Sequence, residues 1–326
     1  MTEFAVYLNQ YLTEESRAQG YDIMRSQAAL LEKTGFDAAF VGERHLYEEG
    51  FLNPLACLSL LVLSTTKLKV GTSILILPLY HPIHIAEFTA DLDMISRGRV
   101  ALGVGLGYRK EELQAFGVSG PAKARRFEES LIILRRLLAG ERVTFHGEHY
   151  DFDDIFISSK PFQKPHPPIL VGGSAPPAIE RAARLGDGYA SGNTSLNEFK
   201  RRIAIYRDTL KKIGKDPDSG YVSFFVDGFC SKDYDEAKAV MEAPLLAQYE
   251  RYTGWGYKKV KLVFDELQEG KFAVGSPEDC IERIEPFIQA GADTIIIRTE
   301  WAGMRQEDVH RSITNFAMKV LPYFRE

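Results

Sequence analysis

Cysteine is scarce in this chain. Cys57, Cys230 and Cys280 are three in 326 residues, far apart and in no metal-ligand spacing. That excludes a disulfide scaffold and a cysteine-based metal site, and a reduced, cytoplasmic interior is expected. Each thiol reads first as a small buried hydrophobe. No apolar run reaches the roughly 18 residues of a membrane-spanning helix. The amino terminus, Met1-Thr-Glu-Phe-Ala-Val-Tyr-Leu8, lacks the basic flank and apolar length of a signal peptide. Long basic runs are also missing and the formal net charge is −5, so neither nucleic acid nor an anionic membrane is expected as a main partner. There is no low-complexity tract, no linker and no repeat of 20 to 50 residues.

What remains is an ordinary soluble composition, 45% apolar and 26% charged, with enough length to bury a substantial core. Apolar runs of three to ten residues alternate with amphipathic segments. The strand-like runs are residues 4–8, 37–42, 68–77, 100–105, 169–171, 187–190, 221–229 and 294–297. The helix-like segments are 21–33, 53–66, 81–98, 121–139, 176–185, 196–213, 233–248 and a closing helix at 306–324. Gly35 is expected to stop the first helix, and Asn53-Pro54 and His81-Pro82 to open the second and third. Ser276-Pro277-Glu278-Asp279 reads as a helix cap. Two stretches break the rhythm. Residues 143–159 alternate aromatic and polar side chains about His146-Gly147-Glu148, as a hairpin does. Residues 251–273, with Trp255, Tyr257 and Phe272, are irregular and fit either a lid or a self-packed surface insertion. Eight strands alternating with about eight helices predict a (β/α)₈ TIM barrel over residues 1–326, with insertions near 141–160 and 251–273. A doubly wound sheet with a small second domain is the other arrangement the pattern allows.

In parallel α/β folds, sites assemble at the carboxyl ends of the strands, where loops share one crevice. Glycines and polar residues concentrate there. Gly172-Gly173-Ser174, ahead of a helix, suits either a phosphate or an ordinary strand-to-helix turn. Glu43-Arg44-His45 follows the second strand and can orient a polar ring, clamp an anion or move a proton; a salt-bridged loop has the same composition. Tyr108-Arg109-Lys110 is a basic, aromatic loop, and Arg298-Thr-Glu-Trp301 ends the eighth strand. His81 and His84, near a helix start, read as capping or surface residues. Gly103-x-Gly105-x-Gly107 is not a dinucleotide fingerprint, because the later glycine of that pattern falls on Tyr108 or Lys110. No zinc helix motif and no Gly-x-Ser-x-Gly elbow occurs, and no metal is expected.

These fragments, taken in order, resemble the bacterial luciferase-like family of flavin-dependent oxidoreductases. The matching pieces are Gly35-Phe-Asp-x-x-Phe-Val-x-Glu43-x-His45, Asn53-Pro54, Val70-Gly-Thr72, Leu77-Pro78, His81-Pro82, Leu92-Asp-x-Ile-Ser-x-Gly-Arg99, Gly103-x-Gly-x-Gly107, Phe116-Gly117, Pro168-x-Leu-Val-Gly-Gly173, Arg181-Ala-Ala-Arg-x-Gly-Asp-Gly188 and Gly303-Met304. The resemblance implies the same barrel and a flavin site. Thr72, Ser73 and Ile74 are expected beneath the ring, with a non-prolyl cis bond at Ser73-Ile74. It implies that Gly172, Gly173 and Ser174 hold the phosphate, and that Ser191, Gly192 and Asn193 flank the ring.

The sequence departs from luciferases proper. Their catalytic histidine position is Arg44 here, their reactive cysteine falls on Gly105, and their phosphate-gripping arginine falls on Leu106, leaving Arg109 as the nearest substitute. These changes speak against light emission from a long aldehyde. The expected activity is FMN-dependent monooxygenation of a small organic substrate, with Glu43, Arg44 and His45 managing protons or orienting that substrate. Reduced flavin would come from NAD(P)H directly or through a partner flavin reductase. A deazaflavin (F420)-dependent hydride transfer and a non-catalytic flavin-binding barrel are the alternatives. The missing lysine near residues 191–193 favours FMN over the acidic tail of the deazaflavin. Family members commonly pair as homodimers through first-half helices.

Overall fold

The computed structural model describes residues 2–14, 16–48, 50–118, 120, 122–254 and 263–325. Trp255 and Tyr257, expected in a lid, lie outside the described residues. Among those described, eleven strands and eleven α-helices follow the chain: β1 Glu3–Tyr7, α1 Gly20–Thr34, β2 Ala38–Val41, α2 Pro54–Ser64, β3 Lys69–Ile76, α3 Pro82–Ser96, β4 Val100–Gly105, α4 Lys110–Ala115, α5 Lys123–Leu138, β5 Val143–His146, β6 Asp151–Ile155, β7 Ile169–Gly172, α6 Pro176–Leu185, β8 Gly188–Ser191, α7 Leu196–Lys212, β9 Tyr221–Cys230, α8 Tyr234–Gly254, α9 Phe264–Gln268, β10 Ala273–Gly275, α10 Pro277–Gln289, β11 Thr294–Arg298 and α11 Gln306–Asn315.

Eight of these strands close a ring in the order β1-β2-β3-β4-β7-β8-β9-β11, every neighbouring pair parallel. Closure excludes the doubly wound alternative and leaves no barrel edge. Side chains alternate across the ring as the period of two requires. On β1, Phe4 and Val6 join the layer beneath the helices, whereas Ala5 and Tyr7 pack inside with Ala38, Phe40, Phe225 and Ile296.

The helix signals act where the sequence places them. Gly35 takes φ 87° at the end of α1. The Asn53 side chain accepts from the backbone N–H of Leu55 and Ala56. His81 caps α3 ahead of Pro82. Ser276 and Asp279 form a reciprocal capping box on α10. The hairpin β5–β6 is antiparallel and stands apart from the ring.

Four expectations need correction. The loop read around Tyr108-Arg109-Lys110 turns at once into α4, which is too short and too charged for helical periodicity to register. The helix expected from Pro121 begins at Lys123. The irregular stretch 251–273 contains the end of α8 and the helix α9 and runs into the strand β10, which pairs parallel with the end of β9. The closing helix stops at Asn315, and a π turn over Phe316–Val320 and a 3-10 turn over Leu321–Phe324 follow, the latter with Pro322 in its first turn.

Candidate active site

All eight strands run the same way, so the segments after them share one rim. Ser73-Ile74, near the end of β3, is a non-prolyl cis peptide, as expected. The Ile74 side chain reaches across the neighbouring strand ends. A Cβ added at Gly105 would stand 2.3 Å from Ile74 Cδ1, and one at Gly172 would stand 3.0 Å from Ile74 Cγ2. Both glycines therefore make room for one isoleucine, and the Gly172-Gly173 bend lies on the rim that holds Ser73. Thr72 is buried, and its hydroxyl donates to the Gly103 carbonyl at 2.6 Å. Its side chain therefore fixes the β3–β4 approach.

The phosphate reading of the Gly172-Gly173-Ser174 turn needs a change in its donors. Helix α6 starts with Pro176 and Pro177, which have no N–H, and Ala178 N–H already donates to the Ala175 carbonyl at 2.9 Å. The helix end thus offers little. Among the described residues, the backbone N–H groups of Gly173, Ser174 and Ala175 take no backbone partner, and Ser174 is exposed with its hydroxyl beside them. The Gly173 carbonyl is held by the Tyr189 phenol at 2.7 Å, which sets the turn's orientation. On the next strand, Ser191 is buried and Gly192 opens onto empty space. Asn193 donates through Nδ2 to Asp227 Oδ2 at 3.1 Å, while its Oδ1 is buried with no partner. Arg181 and Arg184 pair with Glu128, and Arg201 and Arg202 pair with Glu198.

Across the mouth stands Glu43-Arg44-His45. The Glu43 side chain is fully buried and accepts from three donors: Ile76 N–H, the Tyr80 phenol and His45 Nε2 at 2.7 Å. Burial, with the adjacent Glu43 carboxylate, pushes the Tyr80 phenol up and keeps it a donor. A carboxylate can only accept, so His45 carries its proton on Nε2 and leaves Nδ1 on the other edge. The His45 ring lies 4.6 Å from that of Phe116. Its backbone N–H donates to Glu112 at 2.6 Å, and its carbonyl accepts from Arg109 Nη1 at 2.8 Å. Arg109 also pairs with Glu112 at 3.1 Å and is buried, so it braces the His45 loop. Arg44 turns the other way. Its Nη1 donates to the Tyr108 phenol at 2.7 Å, and its guanidinium lies 4.8 Å from the Tyr252 ring centre and 5.8 Å from that of Tyr11.

Of one buried cluster, the sequence reading named only Arg298. Asp227, on β9, is 0% exposed and pairs with Arg298, at the end of β11, at 2.6 Å. Tyr249 donates to the same carboxylate at 2.6 Å, and Arg298 Nη1 donates to the Tyr252 phenol at 2.8 Å. The register sets Asp227 directly beside Arg298, and both point inward above Tyr7. Burial pushes the Tyr7 phenol up to about 12, although Arg44 and Arg298 oppose the shift. The Tyr7 phenol fills the space where a side chain on Gly42 would go: its oxygen lies 2.1 Å from a Cβ built there. A lone acid inside the apolar run 221–229 was the available signal, since a buried charge needs a partner.

The sequence family described as luciferase-like monooxygenase matches residues 2–294. The chain is 30% identical over 315 residues to an F420-dependent glucose-6-phosphate dehydrogenase of Microbacterium testaceum (strain StLB037), covering 91% of each chain. It is 26% identical over 340 residues to an FMNH(2)-dependent dimethylsulfone monooxygenase of Pseudomonas putida, covering 96% of this chain and 90% of that one. Among solved structures, monooxygenase RslO1 from Streptomyces bottropensis superposes with a TM-score of 0.87 at 24% identity, covering 99% of both chains. With the closed barrel and the family match over nearly its whole length, the chain belongs to the luciferase-like monooxygenase family and is an enzyme of the flavin and deazaflavin oxidoreductases.

Proposed function

We propose that this enzyme uses reduced FMN and dioxygen to oxygenate a small organic substrate. One observation carries the reading: the phosphate-sized turn at Gly172-Gly173-Ser174 and the Ser73-Ile74 segment lie on one rim, linked by the Ile74 side chain. In that reading Gly173, Ser174 and Ala175 hold the phosphate through backbone N–H groups, helped by the Ser174 hydroxyl. Ile74 lies under the ring, and the buried, unpartnered Asn193 Oδ1 accepts a ring N–H. The bound flavin supplies the oxygen chemistry; the protein supplies position, a dry site and protons. Glu43 holds His45 in one tautomer and keeps its own oxygens engaged, which leaves His45 Nδ1 as the atom that moves a proton. Helix α8 covers the mouth and limits water.

FMN is favoured over the deazaflavin because the arginines of the two helices that follow β7 and β8, Arg181, Arg184, Arg201 and Arg202, are already paired with Glu128 and Glu198. A polyanionic cofactor tail would compete with those acids. The F420-dependent reading keeps one specific support, the 30% identity to an F420-dependent dehydrogenase. Titrating apoprotein with FMN and with F420, then measuring oxygen uptake with reduced FMN, separates the two. Tight F420 binding without FMN binding overturns the first reading. We further propose one domain over residues 1–326, a cytoplasmic location, and a separate reductase as the source of reduced flavin. We also propose a homodimer formed through the outer faces of α2 and α3, where Leu63, Met94 and Ile95 are 74%, 50% and 59% exposed. Sedimentation of the wild type against Met94→Glu checks the last point. No helix among the described residues is long and apolar enough to cross a membrane.

A further inference from the structure

Two guanidiniums from strands on either side of β1 converge on one phenol. Arg298, from β11, donates to Tyr252 Oη at 2.8 Å, and Arg44, from the loop after β2, stacks 4.8 Å from the centre of the same ring. Tyr252 lies on α8 and reaches down into the mouth, with Tyr249 one turn away on the helix floor at 5.6 Å between ring centres. Among the described residues, the groups facing it are Arg298 from β11, Arg44 from the β2 loop, Tyr11 and Tyr7 from the β1 side, and Tyr249 from α8 itself. Asp227 of β9 pairs with Arg298. Among these groups the two guanidiniums set a positive field at the phenol oxygen. Such a field stabilises an anion where it forms.

We propose that Tyr252 is the general base of this site, acting on a substrate whose conjugate base carries its charge on oxygen: an enolisable ketone or a phenol. The inference rests on the oxygenase reading given above and deepens it by naming the substrate class. The substrate's α-C–H or O–H bond breaks, its proton passes to Tyr252 Oη, and the electron pair stays on the substrate as an enolate or phenolate. Tyr252 goes from phenolate to phenol and returns the proton to water after turnover. The anion so formed is the electron-rich partner an oxygenation needs. It inherits the field of Arg44 and Arg298 that Tyr252 gives up.

The tyrosines set the contrast. Burial raises Tyr7, Tyr11, Tyr80 and Tyr249 above the ordinary phenol value. Burial opposes ionisation at Tyr252 too, yet the Arg298 and Arg44 guanidiniums outweigh it and hold this phenol below 10.0.

The test begins without cofactor. Apoprotein is titrated with alkali while the near-ultraviolet tyrosinate band is followed. One phenol should ionise below 10.0, ahead of the others, vanish in Tyr252→Phe and move up in Arg44→Gln. A wild-type curve that superposes on that of Tyr252→Phe overturns the proposal. Two probes then test the chemistry and separate the two substrate sources. Wild-type protein loaded with oxidised FMN should exchange the α-protons of cyclohexanone for deuterium, or turn bound para-nitrophenol into its coloured anion. Tyr252→Phe should slow the exchange by about 10²-fold or more, or lose the colour. If neither probe is ionised by wild type, or Tyr252→Phe ionises both as well, the base assignment is wrong. FMN affinity, measured separately on wild type, reports on the cofactor reading alone. Melting curves of both variants show whether they fold.

Discussion

The Asp227–Arg298 pair lends itself to a quantitative test of what holds the barrel mouth together. Asp227 is fully buried, and three donors converge on its carboxylate: Arg298 Nε on Oδ1, and Tyr249 and Asn193 on Oδ2. Asp227→Asn keeps the shape and removes the charge. Most of the hydrogen bonds can be remade. The Tyr249 hydroxyl can turn to accept, and the Asn193 amide can flip, because its Oδ1 has no partner to lose. At a pH low enough to keep the Tyr252 phenol protonated, what cannot be remade is the counter-charge of Arg298, whose side chain is 7% exposed. Stranding one member of a buried pair costs about 3–5 kcal/mol. The rings of Phe225, Tyr252 and Trp301, all within 6 Å of the guanidinium, return roughly 1 kcal/mol of that. The expected loss is therefore about 3 kcal/mol, read from urea unfolding followed by circular dichroism and by tryptophan fluorescence. Arg298→Met in the same background removes the stranded charge, so the double variant should recover much of the loss. A single-variant cost under about 1 kcal/mol, or a double variant as unstable as the two singles summed, refutes the account of this pair as a coupled buried unit.

Gly105→Ala drives a methyl to within 2.3 Å of Ile74 Cδ1 and forces Ile74 toward the proposed ring space. At about 1–3 kcal/mol of overpacking, FMN affinity should fall roughly tenfold or more, and Ile74→Val should restore it; flavin fluorescence titration reads both. Gly173→Ala sets its Cβ 2.4 Å from Ala178 Cβ, where no flexible side chain can yield, so the turn should move off α6 and both melting temperature and FMN affinity should drop. The Arg201 and Arg202 hydrogen bonds hold the Glu198 carboxyl down at about 2. A depressed acid stabilises the fold above its unfolded value of 4.5, and that stabilisation is lost as pH falls toward about 2. Glu198→Gln should therefore lower stability in the neutral region and flatten the acid limb between those values, the two curves converging as pH approaches about 2. Equal slopes for both proteins in acid-titrated urea melts would contradict it.

Local patterning made the barrel readable. Most ring strands are apolar runs closed by a glycine or a polar residue, and several helices carry their own start or stop signal, such as Gly35, Asn53-Pro54 or Ser276-Pro277. Elements without such periodicity stayed hidden. Helix α4 has six residues and β10 has three, and each is fixed by what it packs on: Leu113 against Ile76, and Val274 in the satellite core of Phe229 and Trp301. The site divides in the same way. The glycine turns and the Glu43-Arg44-His45 loop are contiguous and could be read off the chain. The Asp227–Arg298–Tyr252 cluster joins residues 71 and 46 positions apart. Only the barrel register brings those together. Pro176-Pro177 is a different case, since the prolines were legible and their missing N–H groups follow from chemistry alone.

Strand order explains why the mouth has two characters. β3, β4, β7 and β8 are consecutive in the ring, and their ends carry Gly103, Gly105, Gly172, Gly173 and Gly192, the charges after β4 being closed in the Arg109–Glu112 pair. β9, β11, β1 and β2 form the other consecutive arc, and theirs carry Asp227, Arg298, Tyr7, Tyr11 and the Glu43-Arg44-His45 loop. A flat ring on a phosphate-bearing chain needs close backbone approach and unpaired amides, which the first arc offers. A substrate that changes its charge needs cations, phenols and an imidazole held at fixed positions, which the second arc offers. A ring held over Ile74 would have Arg44, His45 and Tyr252 on the other arc, where they could orient a substrate or move a proton. On this division, substitutions in the glycine arc should alter cofactor affinity and leave the pH profile in place. Substitutions in the charged arc should do the reverse. A variant such as Arg44→Gln that lowers FMN affinity without moving the pH profile would break the division.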